Sequence, residues 1–295
     1  MTRTLVSKLL RDNRTSWIVV ALLLFGFQLL WARVAHRISA DLLAALQGAG
    51  FTVPLVRRIF FQGGPGQLIQ AIMGGEGIQI DKALDLMSIS YVHPVTQTAL
   101  CVFAIGKAAG AIAGEIDKGT MELLMAQPLP RRRLILAHLI VDSIAIPLLC
   151  GVMWSGTWLG TWMVGFTAEE GDLRVNPHAF LPALASAALL LFAVSGLTMA
   201  VSAAGRSRNR VLGLAVIIAL AMFLVNLVGQ LWPPMENVRP FTVFYYYQPQ
   251  PMILKEAWYT IGEVWLRLGV LAALGTVGYG LAAFIFTRRD LPAPL

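Results

Sequence analysis

Six stretches of the chain are nearly unbroken apolar runs: Trp17 to Ala32, Pro94 to Ala113, Leu134 to Phe166, Phe180 to Ala204, Val211 to Trp232 and Val264 to Phe286. A helix needs roughly 20 residues to cross a bilayer. The pattern therefore predicts an all-α integral membrane fold with about six transmembrane helices. The first run is short, and Trp17 and Trp31 are placed to mark its two interfaces. The third exceeds the length needed and contains Pro147, whose missing backbone donor predicts a kink.

Two shorter patterns lie outside these runs. Near the start, Leu5, Val6, Leu9 and Leu10 share one helical face among basic residues. An amphipathic helix on the cytoplasmic leaflet, leading into an uncleaved first span, fits this better than a secretory signal, because no small-x-small cleavage site follows. The segment 33–93 forms a long outer loop. In it, "RISADLLAALQG" puts Ile38, Leu42, Leu43 and Leu46 on one face, and "DKALDLM" begins another short helix. Glycine breaks at "GGPG" and "GGEG" interrupt it. Such helices either rest on the outer leaflet and cap the spans or line a vestibule for substrate. No internal repeat is visible, so residues 1–295 read as a single transmembrane domain.

Composition agrees. The chain is 57% hydrophobic and 13% charged, with a mean hydropathy of +0.69, whereas soluble domains carry about a quarter charged residues. The net charge of +7 could indicate nucleic acid, but the basic residues sit at the ends of the apolar runs, a topological pattern. One side holds Arg3, Lys8, Arg11, Arg14, Lys118, Arg131 to Arg133, Arg206, Arg208, Arg210, Arg288 and Arg289. The other side is acidic or nearly neutral. The bias puts both termini and the stretch Gly114–Arg133 in the cytoplasm, and predicts a multi-pass membrane protein. Cys101 and Cys150 fall inside apolar runs and read as small core side chains.

Catalytic signatures are missing. The histidines (His36, His93, His138, His178) have no metal-ligand spacing, no G-x-S-x-G occurs, and the spans hold no carboxylate pair. "IGKAAG" around Lys107 lacks the upstream glycine and the Ser/Thr of a phosphate-binding loop. The expectation is a chain with no catalytic residue, no metal and no ATP site of its own.

Between the second and third runs lies "GEIDKGTMELLMAQPLPRRR". Acids open a short helix that carries Met121, Leu123, Leu124 and Met125. Thr120 is placed to cap its second part by accepting a backbone N–H, Gln127 and Pro128 end it, and Arg131 to Arg133 anchor the next span at the headgroups. Exposed apolar side chains on such a tip call for something to cover them, either the membrane surface or a cytosolic partner.

The pattern E-x-x-x-G-T-x-E-L-L-x-x-x-P-x-x-R, formed by Glu115, Gly119, Thr120, Glu122, Leu123, Leu124, Pro128 and Arg131, resembles the permeases of type-2 ABC transporters. The nearest likeness is to the single-domain bacterial branch that includes permeases linked to nitrous oxide reductase maturation. The aromatic "FYYYQPQPMIL" before the last span and "FTRRDL" after it agree in outline. The resemblance implies a homodimer with two cytosolic ABC ATPase subunits, which bind ATP and magnesium, and an exporter role. It implies a coupling helix comprising Glu115, Asp117, Lys118, Gly119, Thr120, Glu122, Leu123, Leu124, Gln127, Pro128 and Arg131. The long first outer loop departs from the pattern. A stand-alone ion-coupled carrier or a membrane assembly scaffold is the alternative, but a carrier would show several ionisable residues in its spans, and only Lys107 and Asp142 lie clearly inside.

Two further sites follow from position. Lys107 lies eight residues before Glu115 and Asp142 nine after Arg133. At about 1.5 Å per residue both start about 12–14 Å in from the tip. They either pair or go separately, Lys107 to the headgroups and Asp142 to a wet crevice. Phe244, Tyr245, Tyr246, Tyr247 and Pro249 form either an aromatic belt at the outer interface or a candidate outer gate. The apolar spans point to a hydrophobic or amphipathic cargo, with membrane lipids as neighbours.

Overall fold

The computed structural model describes residues 2–42, 45, 48–50, 78–79, 81–127, 130–169 and 171–289. Among them every regular element is helical. Helix α1 (Thr2–Asp12) precedes α2 (Arg14–His36), which ends in a π-helical turn, Arg37–Leu42. After the outer segment come α3 (Ala83–Val92), α4 (Pro94–Ala111), α5 (Ala113–Asp117), α6 (Met121–Met125) and α7 (Arg131–Met163). A 3₁₀ turn, Pro177–Phe180, leads into α8 (Ala183–Ala204), followed by α9 (Arg208–Leu231) and α10 (Pro233–Glu236). Then come α11 (Val243–Tyr246), α12 (Gln250–Leu254) and α13 (Gly262–Arg288). Six helical stretches are long and apolar enough to cross a membrane: Arg14–Ser39, Ala83–Ala111, Arg131–Met163, Pro177–Ala204, Arg208–Leu231 and Gly262–Arg288. Helix α7 continues through Pro147 over 33 residues.

Helix α8 is the centre of the bundle, packed on α13, α4 and α7, while α2 lies along α7. The α8–α13 contact depends on glycine. A Cβ added at Gly196 would stand 2.4 Å from the carbonyl oxygen of Gly275, so the two backbones meet with nothing between them. Close approach through small residues is a principal source of packing energy between helices in lipid, where apolar burial gives little. Helix α9 differs. It buries only Val211, Ala215 and Gly229, and exposes Leu214, Ile217, Leu220 and Leu224.

The second span begins earlier than its apolar run. Helix α3, read from sequence as part of a long outer loop, is buried on every face except at Leu84, and it bends into α4 at His93–Pro94. Proline has no N–H to close the preceding turn, which leaves carbonyls of α3 without intrahelical donors. Three side chains take them. Thr96 Oγ1 donates to Ser90 O at 2.6 Å, Tyr247 Oη to Tyr91 O at 2.6 Å, and Gln97 Nε2 to Val92 O. Trp31 Nε1 donates to Leu86 O at 2.8 Å, tying α2 to the same element. Ile38 packs against the main core. Leu43, Leu46 and the glycine breaks at 63–66 and 74–77 lie outside the described residues.

Candidate functional site

The hairpin between the second and third spans consists of α5, a turn at Lys118–Thr120, and α6. Its turn needs Gly119, whose φ of +70° lies in the left-handed region that residues with a Cβ disfavour. Thr120 does not cap α6. Its backbone is helical (φ −81°, ψ −12°), which keeps the hydroxyl from the orphan N–H groups ahead of it. The hydroxyl donates instead to Glu115, at 2.6 Å to Oε2 and 3.2 Å to the carbonyl oxygen. A carboxylate is the stronger acceptor, so Thr120 ties the two short helices together across the turn.

The hairpin is anchored on one side and bare on the other. Met121 is 3% exposed and packs in a cluster with Leu5, Ile112, Leu134 and Phe286. Leu123 is 71% exposed, and Glu122, Asp117, Lys118 and Gln127 face solvent as well. Leu124 is half-buried, and Pro128 lies outside the described residues. Val6 and Leu9 of α1 pack against the same cluster, so the apolar face of that helix rests on the hairpin and the start of α7.

Three attachments to the bundle were not legible in the chain. Ser202, inside α8, accepts from the N–H groups of Ile112 (3.2 Å) and Ala113 (3.1 Å) and donates to Ala109 O (3.2 Å). It therefore uses its full hydroxyl capacity on the α4–α5 junction. Asp117 Oδ2 accepts from Arg208 N at 3.3 Å, which links the hairpin to the first residue of α9. Arg131, expected at the headgroups with Arg132 and Arg133, turns inward instead. It donates to the carbonyls of Phe286 (3.2 Å) and Arg289, while Arg132 and Arg133 are exposed. Arg289 in turn donates to Ala203 O at 2.9 Å and Gly205 O at 2.7 Å. Helix C-termini leave carbonyls unpaired and favour cations. Burial and the nearby Arg206 both pull the Arg289 guanidinium below its ordinary range.

One helical depth further in, Lys107 donates to Asp142 Oδ1, and the Tyr279 hydroxyl donates to Asp142 Oδ2. Asp142 is fully buried, and His138 lies one turn before it on α7, 3% exposed. Tyr279 had no signal in sequence beyond being a polar side chain in an apolar run.

At the opposite end, the aromatic segment is folded into the protein. Thr242 caps α11 through Tyr245 N at 3.3 Å. Phe244 is buried edge-on against Phe223 at 5.5 Å. Tyr247 and Pro249 are buried, and burial holds the Tyr247 phenol well above its ordinary pKa, so it remains the donor to Tyr91. Tyr245 and Tyr246 are half-buried, and the guanidinium groups of Arg239 and Arg267 each lie 5.3 Å from the centre of the Tyr245 ring. Burial pulls the Arg239 guanidinium below its ordinary range.

A family model described as ABC-2 family transporter protein matches residues 64–291. None of the curated proteins compared with the chain matches it. The matched region covers more than three quarters of the sequence and includes the hairpin, the Lys107–Asp142 contact and the aromatic segment. With its six apolar helices, the chain belongs to the ABC-2 transporter family, as a multi-pass membrane permease, the non-catalytic subunit of a transporter that takes a partner ATPase.

Proposed function

We propose that this chain is the permease of an ATP-driven exporter, working as a homodimer with two cytosolic ABC ATPase subunits in a prokaryotic inner membrane. The observation that carries the reading is the hairpin. Its bare face presents Glu122 and Leu123, while Met121, Ser202 and Asp117 fix its other face to the bundle. A knob so held moves only if the spans move. Glu115, Asp117, Lys118, Gly119, Thr120, Glu122 to Leu124, Gln127, Pro128 and Arg131 make up the coupling element. ATP and magnesium sit on the partner. Both termini face the cytoplasm, and residues 1–295 act as one permease domain.

Phe244 to Tyr247 and Pro249 serve as the outer gate. The nearer resemblance, to permeases of nitrous oxide reductase maturation, puts sodium and sulfur species beside amphipathic molecules on the substrate panel. The test is reconstitution of the chain with its ATPase, reading ATP hydrolysis and export. Glu115→Lys and Gly119→Val are expected to leave the chain inserted and to abolish coupling. Full ATPase binding and transport in both variants overturns the assignment. Crosslinking Tyr246→Cys across the dimer is expected to stop export, and continued transport in the crosslinked protein removes the gate.

A further inference from the structure

Beside α1, at the hairpin end of the bundle, is a cavity of about 280 Å³. Its floor is made by Lys107 and His138, both buried, and its mouth by Lys8, Lys118 and Arg208. The five residues come from α4, α7, α1, the hairpin turn and α9, so separate elements converge on one space. Asp142 occupies Lys107. His138 Nδ1, deep in the wall, has no hydrogen-bond partner, and a buried polar atom seldom goes without one. The three cations at the mouth are exposed, and none of them forms an ion pair among the described residues. Two acids, Asp12 and Glu115, also line the space, and the Glu115 carboxylate is engaged by Thr120. The Arg208 side chain lies across Gly110 and Gly114, 3.5 Å from where a Cβ on either would stand.

We propose that this cavity binds the phosphate group of a membrane phospholipid. Phosphate takes short, charge-assisted bonds from several lysine and arginine donors at once, and three uncommitted cations on separate elements offer that. The source is a lipid because the lining continues into exposed apolar helix faces. Ser16 lines the cavity and is followed one turn later on α2 by Val19, 57% exposed. Gly106 lines it and is preceded one turn earlier on α4 by Val102, 58% exposed. A headgroup in the cavity would leave its acyl chains along those side chains. The site joins α1 to the hairpin turn and shares Lys118 and Glu115 with the proposed coupling element, while Lys8 and Arg208 lie outside it, and it is tested on the chain without its ATPase.

The test uses the full chain purified in a mild detergent. It is titrated with dioleoylphosphatidylglycerol, with dioleoylglycerol, which has the same chains and no phosphate, and with sodium phosphate. Bound lipid is counted by native mass spectrometry, and stabilisation is read by thermal unfolding. One phospholipid per chain is expected to bind, about tenfold more tightly than dioleoylglycerol. Lys8→Gln with Arg208→Gln is expected to erase that preference, whereas Arg132→Gln, exposed at the same end but outside the cavity, preserves it. If the double variant fails to fold, Lys8→Gln alone, at an exposed position, is expected to weaken binding in the same direction. Equal retention of dioleoylglycerol, an unchanged variant, or an equal loss in Arg132→Gln overturns the site. Stabilisation by sodium phosphate equal to that by the lipid overturns the lipid assignment.

Discussion

The Tyr247 hydroxyl donates to the Tyr91 carbonyl at 2.6 Å, joining residues 156 positions apart in the chain. The carbonyl needs a donor because α3 breaks at Pro94, and the hydroxyl needs an acceptor because it is buried. Each satisfies the other. Tyr247→Phe is expected to destabilise the protein by about 1–3 kcal/mol, the cost of a buried acceptor left unpaired. Tyr246→Phe, half-exposed beside it, is expected to change little. Thermal unfolding in detergent separates the two, and equal effects would contradict the assignment.

Asp142 holds two donors, Lys107 and Tyr279. Removing one member of a buried ion pair strands the other, at about 3–5 kcal/mol. Lys107→Met and Asp142→Leu should each be damaging, and their combination less so than the sum. The combination still orphans the Tyr279 hydroxyl, so adding Tyr279→Phe is expected to recover stability further. Additive losses across this series would show that the three do not act together.

Gly119 has open space where a Cβ would go, so any cost of substitution comes from backbone conformation alone. A left-handed φ costs ordinary residues about 1–2 kcal/mol, and asparagine tolerates it best. Gly119→Asn is expected to keep ATPase coupling and Gly119→Val to lose it. Equal coupling in the two variants would mean that the turn conformation is unimportant.

Arg131 and Arg289 form a relay in which α7 caps the end of α13, and the end of α13 caps α8. Arg131→Met is expected to cost about 2 kcal/mol through carbonyls that lose a charged donor. Arg132→Met should be near neutral. Hydrogen exchange at residues 283–288 should rise only in the Arg131 variant.

At Gly196 a side chain would meet the Gly275 backbone. Gly196→Val is expected to destabilise the bundle by about 3 kcal/mol through overpacking. Gly213→Val, where nothing lies within 4 Å, should be tolerated. Equal tolerance would show that α8 and α13 do not pack this closely in solution.

By itself the chain determined the all-helical membrane class, six spans and the place of the hairpin. Each is set by a local quantity: the length of an apolar run, a charge count at its ends, a glycine before a helical start. The start of the second span was not local. Helix α3 reads in sequence as a short helix of the outer segment because it carries Asp85, Ser88 and Ser90, and it becomes the interior start of the span because hydroxyls from Thr96 and Tyr247 meet its orphaned carbonyls. The partners of Arg131 and Ser202 were likewise settled by tertiary structure. A hydroxyl or guanidinium can serve any acceptor within reach, and reach is fixed by which helices pack together. Tyr279 turns to Asp142, and Arg131 to the end of α13, only once α7 and α13 lie side by side.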